Sequence, residues 1–513
     1  MHSWNQGYVT DINYTKGYYG TLNPLRIKLC FLAQKLLPPK ISTACELGFG
    51  HGITLNFNAA SANARWYGTD FNASQACFAQ NLAQISTAPL NIYDDSFGEF
   101  LKRDDLPQFD FIALHGIFSW VSEEIQAQIL EFIRNKLNVG GVCLMSYNCQ
   151  AGWAATAPLR DLIRTYSHYL TPLGKSSSER VKEGLDFVNA LMSLPCSESF
   201  KSPKLTSVLT TLSKMDSIYL AHELLNEHHH PFNFVEMSKL MGQAKLEFAS
   251  YANFSDHLTN IQLLPQEKEL LMQVAHNHSI YEMLKDLMFS VSFRSDYWAK
   301  GTIRLTENQA LEELLKLKVV LYIPYANVDY EIKTYRGSFK LNEDFYQPIL
   351  ETLKDNQPTS IATIKEKLEK SLKRDVQFAE LVEAMIALSN KEHIKLVQEE
   401  EHIQESQNYT QNLNRHILQQ SLQPQNYINH LISPVSGEAI PLNRFELLFL
   451  YASTLFKEPK EWVSFVSNHF QKYGEKIIKD GKELSDQETM EELEKQAQAI
   501  QEWIPILHKL KVI

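Results

Sequence analysis

The sequence predicts an α/β protein built on a doubly wound parallel sheet. Two observations predict this fold. Short apolar runs rich in β-forming residues alternate with segments in which apolar residues recur every three or four positions, and the first apolar run ends in a glycine-rich turn. Parallel strands joined by helices produce this alternation. The chain has 513 residues, and at about 100 to 200 residues per domain the sheet is expected to be one part of a larger protein.

The alternation runs along residues 38–148. The predicted strands are 42–47, 66–71, 90–93, 109–115 and 142–147. The predicted helices between them are 53–62, 73–85, 97–102 and 122–137. Residues 150–230 are helical in pattern and predict an insertion that serves as a dimerisation or regulatory region. Residues 231–301 contain a helix and two further apolar runs, which we expect to return to the same sheet.

Three domains are expected along the chain. Residues 1–305 form the first, with the sheet, the insertion and the return. Residues 306–400 form a middle domain that ends in three helices and a short strand, the order of a winged helix. Its residues 341–400 hold eight Lys and Arg against twelve Asp and Glu, so a packing module is favoured over a DNA reader. Residues 401–513 form a helical C-terminal domain.

Composition excludes several function classes. The chain is 44% hydrophobic and 21% charged, which supplies several cores and argues against a disordered protein. Its net charge of −11 without a basic cluster argues against a nucleic-acid partner. No apolar run reaches about 18 residues, so no membrane insertion is expected. Six cysteines without a CxxC pair, and a start unlike a signal peptide, predict a reducing, cytoplasmic location.

The turn after the first strand carries the chemistry. Glu46, Gly48, Gly50 and Gly52 form an ExGxGxG pattern that opens into a helix. Glycine lets the backbone bend tightly against a ligand, and the helix N-terminus offers unpaired N–H groups. Pyrophosphate-binding loops have the spacing GxGxxG, and Glu46 would repel a pyrophosphate. A ligand with an ammonium and a sulfonium suits this loop, so we predict S-adenosylmethionine as the cofactor.

The next two strands end in residues that fit the same ligand. Asp70 ends the second strand, placed to accept both hydrogen bonds of a ribose diol, and Phe71 would face the adenine. After the third strand, Asp95 is expected to accept from the adenine amino group and Phe97 to pack on the ring. The alternative for residues 94–96 is a helix N-cap with acidic residues at the positive end of the helix dipole.

The motifs around these residues resemble a known family. Four segments resemble the consecutive motifs of class I S-adenosylmethionine-dependent methyltransferases, which have a Rossmann-like fold: ELGFGHG, YGTDF, DDSF and FDFIALHG. Four more are similar to the methyltransferases that carry a methyltransferase regulatory domain: NYTKGYYGTLNPLR, HGIFSWVSEE, MSYNCQAGW and YLAHELLNEHHHPFNFVEMSKLM. That group includes rickettsial lysine methyltransferases acting on an outer-membrane protein. The sequence departs from the group within SYNCQAGW, where Met-Pro is expected before Gly-Trp.

The resemblance implies a partner and an acceptor. It implies an inserted dimerisation region, hence a homodimer, and a protein substrate whose lysine Nε receives a methyl group. A small-molecule methyltransferase and a non-catalytic, cofactor-binding interaction scaffold are the alternatives. The enzyme's work would be alignment and desolvation for an in-line displacement.

Candidate catalytic residues lie at the carboxyl ends of the fourth and fifth strands, where ligands bind in such sheets. His115 and Asn148 are expected near the transferable methyl, and Trp120 and Tyr147 are the aromatic candidates for holding an amine by cation–π attraction. The alternatives are a backbone-bonded histidine at position 115 and a core tryptophan at position 120.

The remaining predictions concern the N-terminal segment and metals. Tyr14, Tyr18 and Tyr19 belong to a segment that is either a lid over the cofactor or a surface arm. The predicted cofactor-binding residues are Tyr14, Glu46, Gly48, Phe49, Gly50, Gly52, Asp70, Phe71, Asp95, Ser96, Phe97 and His115. His222-Glu223 and the histidines at 228–230 lack the spacing of a zinc site, so no metal is expected.

Overall fold

A seven-stranded sheet forms the centre of the N-terminal part. Its strands are β1 (Thr43–Leu47), β2 (Arg65–Thr69), β3 (Leu90–Tyr93), β4 (Phe109–Leu114), β5 (Leu137–Asn148), β6 (Glu247–Tyr251) and β7 (Phe293–Ala299). Their spatial order is β3-β2-β1-β4-β5-β7-β6. Strand β7 is antiparallel to both neighbours, and the other pairs are parallel. The computed structural model describes residues 7–12, 14, 16–62, 64–172, 174–199, 201–424, 428–479 and 482–513.

Helices cover both faces of this sheet. They are α1 (Leu25–Ala33), α2 (Ile53–Ser61), α3 (Ala73–Ser86), α4 (Phe97–Leu101) and α5 (Glu123–Lys136). The first three pack with Trp66 and Phe111 on one face, while α4 and α5 pack with Ile112 and Leu114 on the other. Because both faces are buried, the strands are nearly continuous apolar runs. The predicted doubly wound α/β fold with a helical insertion is confirmed.

The insertion is a small helical bundle with its own apolar core. Its helices are α6 (Gln150–Trp153), α7 (Ala157–Tyr169), α8 (Ser177–Ser193), α9 (Pro203–Leu212) and α10 (Ser217–Leu224). Ser176 begins α8 with a capping box to Glu179. Ile163, Val181 and Leu209 belong to the bundle core.

The chain then returns to the sheet and adds β6 and β7 to its edge. The helices of this return are α11 (Phe234–Gln243), α12 (Thr259–Gln262), α13 (Pro265–Gln273) and α14 (His278–Phe289).

Residues 306–400 contain two small antiparallel sheets and four α-helices. The elements are α15 (Glu307–Lys316), β8 (Lys318–Leu321), β9 (Glu331–Thr334), β10 (Gly337–Lys340), α16 (Glu343–Thr352), β11 (Thr359–Ser360), α17 (Ile361–Leu372), α18 (Phe378–Asn390) and β12 (Ile394–Leu396). Strand β8 lies between β11 and β12, and β9 pairs with β10. The likeness to a winged helix stays a prediction.

The C-terminal part is mostly helical and packs against the main sheet's helices. Its elements are α19 (Glu400–Gln420), β13 (His430–Ile432), β14 (Ala439–Pro441), α20 (Arg444–Leu455), α21 (Pro459–Tyr473), β15 (Ile478–Lys479), β16 (Lys482–Glu483) and α22 (Asp486–Lys509). Helix α19 lies on α2 and α3. Among the described residues, no helix combines the length and the apolar character needed to cross a bilayer.

Candidate active site

A cavity of about 660 Å³ opens at the carboxyl ends of β1, β2 and β4. Its second side is formed by the inserted helices and the N-terminal arm, which is the described part of residues 7–19. Every predicted site residue except Tyr147 lines this cavity: Tyr14, Glu46, Gly48, Phe49, Gly50, Gly52, Asp70, Phe71, Asp95, Ser96, Phe97, His115, Trp120 and Asn148. The topology brings these residues together because the ends of parallel strands meet at one edge of a sheet.

The glycine turn between β1 and α2 forms the floor of the cavity. Gly48, Gly50 and Gly52 have φ values of +71°, +59° and +65°, the left-handed region that favours glycine. A Cβ atom at Gly52 would lie 2.6 Å from the Cβ of Ala79, so packing of α2 on α3 also requires a glycine there. A Cβ atom at Gly50 would have no described atom within 4 Å. Gly50 is therefore the position where backbone faces open space.

Asp70 fixes the shape of this turn from the end of β2. Its Oδ2 accepts from the Gly50 N–H at 2.8 Å, and its Oδ1 accepts from the Asn72 N–H at 3.0 Å. Burial raises the pKa of Asp70 to about 6, although these two hydrogen bonds lower it. Each carboxylate oxygen can accept a second hydrogen bond, so the side chain retains acceptor capacity toward the cavity.

Glu46 is a second buried carboxyl group in the floor. It is the penultimate residue of β1 and has only 4% of its surface exposed, and its Oε2 has no hydrogen-bond partner among the described residues. Burial, with a smaller effect of the nearby Asp70, raises the pKa of Glu46 to about 8. A buried carboxyl oxygen without a partner is costly for the fold, so its presence indicates a ligand-directed role.

The turn after β3 serves both the fold and the cavity. Ser96 is the N-cap of α4 and forms a capping box with Glu99, as the N-cap alternative for residues 94–96 predicts. Asp95 forms an ion pair with Arg103 at 3.0 Å, and Asp94 is exposed. The carboxylate of Asp95 is therefore already partly occupied, whereas Phe97 offers its ring to the cavity.

His115 and Asn148 lie at the ends of β4 and β5. The Nδ1 atom of His115 is 3.3 Å from the Ser146 hydroxyl, so among the described residues this nitrogen has a side-chain partner, whereas the alternative predicted a backbone partner. Burial lowers the pKa of His115 to about 4, which keeps the ring neutral at physiological pH. The backbone N–H of Asn148 donates to Ser119 Oγ at 2.9 Å, and its side-chain amide lies 3.2 Å from His229 Nε2.

The ring of Trp120 lies between the cavity and the imidazole ring of His229. Its ring stacks on His229 with centroids 4.5 Å apart, and Trp153 packs on the same imidazole at 4.3 Å. Trp120 is 7% exposed and lines the cavity, so it combines the predicted wall position with the alternative of core packing.

The prediction that Tyr147 faces the acceptor is wrong. Its hydroxyl donates to Asp296 at 2.9 Å in the core, and its ring packs against Phe232. Successive side chains of a strand point to opposite faces. Since Ser146 and Asn148 point toward His115 and the cavity, Tyr147 points away.

The N-terminal arm closes the cavity between the sheet and the insertion. The Glu227 N–H donates to the Gly7 carbonyl at 3.0 Å, and the Val9 N–H donates to the Asn226 side chain at 2.9 Å. Tyr14 and Tyr19 line the cavity, and the ring centroids of Tyr19 and His115 are 4.2 Å apart. Tyr18 points the other way and packs 5.5 Å from His430 of the C-terminal part. Of the two alternatives, the arm has the position of a lid.

Sequence reasoning missed the residues that the insertion contributes. Glu223 and His222, considered only as metal ligands, both line the cavity, together with Tyr219, Arg160 and Trp153. No group of three or more metal-binding side chains occurs in the described part of the chain. The adjacency of His222 and Glu223 at the end of a short amphipathic segment was the available signal, but it does not indicate which face lines a cavity.

Comparison with known proteins agrees with this geometry. A family model described as a predicted methyltransferase regulatory domain matches residues 216–300, which cover the end of the insertion and the return to the sheet. PKMT2 from Rickettsia typhi in complex with AdoHcy has a similar fold, with a TM-score of 0.69 over 96% of this chain and 99% of that chain at 17% identity. The fold is that of a class I methyltransferase.

The family follows from a full-length relative. An uncharacterized Synechocystis protein is 32% identical over 521 residues, covering 99% of this chain and 100% of that protein. An uncharacterized Rickettsia prowazekii protein is 23% identical over 65% of this chain and 60% of its own length. The chain belongs to one family with the Synechocystis protein. Within it, residues 216–300 match the methyltransferase regulatory domain model, and the fold is the one seen in Rickettsia typhi PKMT2.

Proposed function

We propose that this protein transfers a methyl group from S-adenosylmethionine to a lysine side chain of a protein substrate. The observation that supports this cofactor is the hydrogen bond from the Gly50 N–H to the Asp70 carboxylate in the cavity floor. The lysine acceptor is supported by the resemblance to the rickettsial lysine methyltransferases. A homodimer belongs to the same proposal, because the resemblance implies a dimerisation region in the insertion.

The floor of the cavity fits this cofactor. Asp70 has remaining acceptor capacity for the two ribose hydroxyls, and Glu46 has an unpartnered oxygen for an ammonium group. The rings of Phe71 and Phe97 border the cavity where an adenine would lie. Open space above Gly50 lets the ligand approach the backbone. The cofactor bound in the complex of Rickettsia typhi PKMT2 is AdoHcy, which retains the nucleoside and amino-acid parts.

The cofactor, when bound, supplies a methyl group on a positively charged sulfur for in-line displacement. The chain's own residues align the acceptor and exclude water from it. A neutral His115 adds no positive charge next to the sulfonium. Asn148 offers an amide to orient the acceptor nitrogen, and the ring of Trp120 forms part of the wall.

Calorimetric titration of S-adenosylmethionine tests the cofactor. Asp70→Ala removes two described hydrogen bonds and the predicted ribose contacts, so we expect affinity to fall by about tenfold to a hundredfold. Asp94→Ala is the matched control, since Asp94 is an exposed carboxylate in the turn after β3. No binding heat with the wild type, or equal affinity of wild type and Asp70→Ala, overturns the cofactor assignment.

Labelled cofactor and a whole-cell lysate test the acceptor. A labelled protein band whose label resides on lysine supports the proposal. Label only in small molecules identifies a small-molecule methyltransferase. The extension of the cavity between the inserted helices favours this alternative. Cofactor binding without any transfer leaves a non-catalytic scaffold.

A further inference from the structure

The cavity has an apolar wall that the proposed cofactor contacts do not use. Helices α7, α9 and α10 of the insertion form it, with the side chains of Leu159, Ile163, Leu205, Leu209, Leu212 and Leu224. A wall of this kind excludes water and accommodates the aliphatic part of a ligand. It faces the sheet ends where the methyl donor is expected.

Glu223 places a carboxylate in this wall. It lies on α10, is half-buried and lines the cavity. Tyr219, one turn earlier on the same helix, also lines the cavity and lies close enough to Glu223 for the two side chains to shift each other's pKa. Tyr14 and Tyr19 of the N-terminal arm lie close enough for the charge of Glu223 to contribute to the raised pKa of both phenols. Tyr14, Tyr19 and Tyr219 line the cavity together with Glu223. Aromatic rings and a carboxylate therefore border the same space, and both attract a cation.

Arg160 of α7 does not remove this negative charge from the cavity. Its guanidinium donates to the backbone carbonyl of Asn226 at 2.6 Å and to that of Glu223 at 3.4 Å. Arg160 therefore holds the end of α10 in place. Burial raises the pKa of Glu223 to about 7, although Arg160 and Tyr219 lower it. A carboxyl group in this range exchanges a proton readily at neutral pH.

We propose that this wall is the acceptor subsite, that it takes a primary amine at the end of an aliphatic chain, and that Glu223 holds the ammonium and accepts its proton. The inference rests on the proposed function and assigns a site to its acceptor. The N–H bond breaks and its electron pair remains on nitrogen, while the proton bonds to a carboxylate oxygen of Glu223. The neutral amine then has the lone pair that methyl transfer requires, and the proton leaves to solvent after the product.

Amine binding to the AdoHcy-loaded protein tests this subsite without turnover. The probes are the straight-chain amines from methylamine to n-butylamine, with 1-butanol as the neutral control. We expect Glu223→Gln to weaken n-butylamine binding by about tenfold or more, since it removes the ion pair, while 1-butanol and AdoHcy affinities change less than about twofold. Each added methylene should strengthen wild-type binding by about threefold to fourfold, because it buries apolar surface.

Asp186→Asn is the matched variant, since Asp186 is an exposed carboxylate on α8 of the same insertion; it should bind all probes like the wild type. Thermal unfolding of each variant establishes that it is folded. Equal n-butylamine affinity in wild type and Glu223→Gln, or affinity independent of chain length, overturns the subsite while AdoHcy binding leaves the proposed function standing. Failure of AdoHcy to bind the wild type overturns both.

Discussion

The environment of Glu46 is unfavourable for folding. Its carboxyl group is buried near the end of β1, one oxygen has no partner among the described residues, and Asp70 lies close by. Because the pKa is raised above the ordinary 4.5 to about 8, the folded protein favours the protonated form. Ionisation therefore opposes folding, and the stability that the proton provides is lost as the pH rises toward 8.

Glu46→Gln should make the ligand-free protein more stable at high pH. Near pH 8 we expect the free energy of unfolding to rise by about 1–3 kcal/mol, the cost of a buried polar group without a partner. Near pH 4, below the ordinary pKa of the carboxyl group, the difference should vanish because both forms are then uncharged. Thermal unfolding at several pH values measures this, and Asp94→Asn, an exposed carboxylate, should show no such pH dependence.

Glu46→Gln should lower the affinity for S-adenosylmethionine, although it raises stability at high pH. The same Glu46→Gln variant lacks the charge that we assign to the cofactor's ammonium group, so it should bind more weakly by about tenfold. A variant that is stabilised at pH 8 and binds as tightly as the wild type would contradict a ligand-directed role for Glu46.

The glycine turn separates two requirements within one element. A Cβ atom at position 50 would contact no described atom, but the backbone there has a φ of +59°. Gly50→Ala should therefore fold, with a free energy of unfolding lower by about 1–2 kcal/mol. Its methyl group would occupy the open space above the turn, and cofactor affinity should fall by about tenfold or more. Gly52→Ala would instead meet Ala79, adding a packing cost of about 1–3 kcal/mol to a similar strain.

Thermal unfolding and calorimetric titration of both variants distinguish these effects. We expect Gly50→Ala to reduce cofactor affinity strongly and stability only slightly. Gly52→Ala should be less stable than Gly50→Ala. Unchanged affinity in Gly50→Ala would show that no ligand approaches the turn.

The elements differ in how far the sequence predicts them. Strands β1 to β4 and the glycine turn were predictable because apolar runs end in glycine or aspartate at each strand end. The facing of β5 was not, because both faces of Cys143–Asn148 are buried and no polar alternation marks which side chains reach the cavity. Tyr147 was assigned to the wrong face for this reason. Glu223 was missed because helical periodicity does not distinguish a cavity-facing side chain from a solvated one.

At the scale of the whole molecule, the C-terminal half is integrated with the sheet. The boundaries predicted at 305 and 400 follow chain order, but one apolar core includes Leu29 of α1 and Met385 of α18. The loop between β13 and β14 accepts hydrogen bonds from Asn23 and Ser61 at the carbonyl of Gly437. Sequence patterns report local periodicity, so these contacts between distant segments were beyond their reach.

A buried charge cluster joins three parts of the chain. Glu438, the last residue of that loop, accepts from Lys395 of β12 at 2.6 Å and lies 3.7 Å from Arg26 of α1. The three side chains are at most 8% exposed. Charges buried in this way depend on one another, because removal of one partner leaves the others unpaired in a medium that solvates them poorly.

Glu438→Gln should therefore destabilise the molecule as a unit. We expect the free energy of unfolding to fall by about 3–5 kcal/mol, the usual cost of breaking a buried pair. Glu392→Gln is the matched control, because Glu392 also pairs with Lys395 but has 61% of its side chain exposed; it should cost less than about 1 kcal/mol. Calorimetric unfolding measures both. If Glu438 couples the C-terminal half to the sheet, Glu438→Gln lowers the temperature of the main transition, whereas loss of only a small separate transition would show that the halves unfold independently.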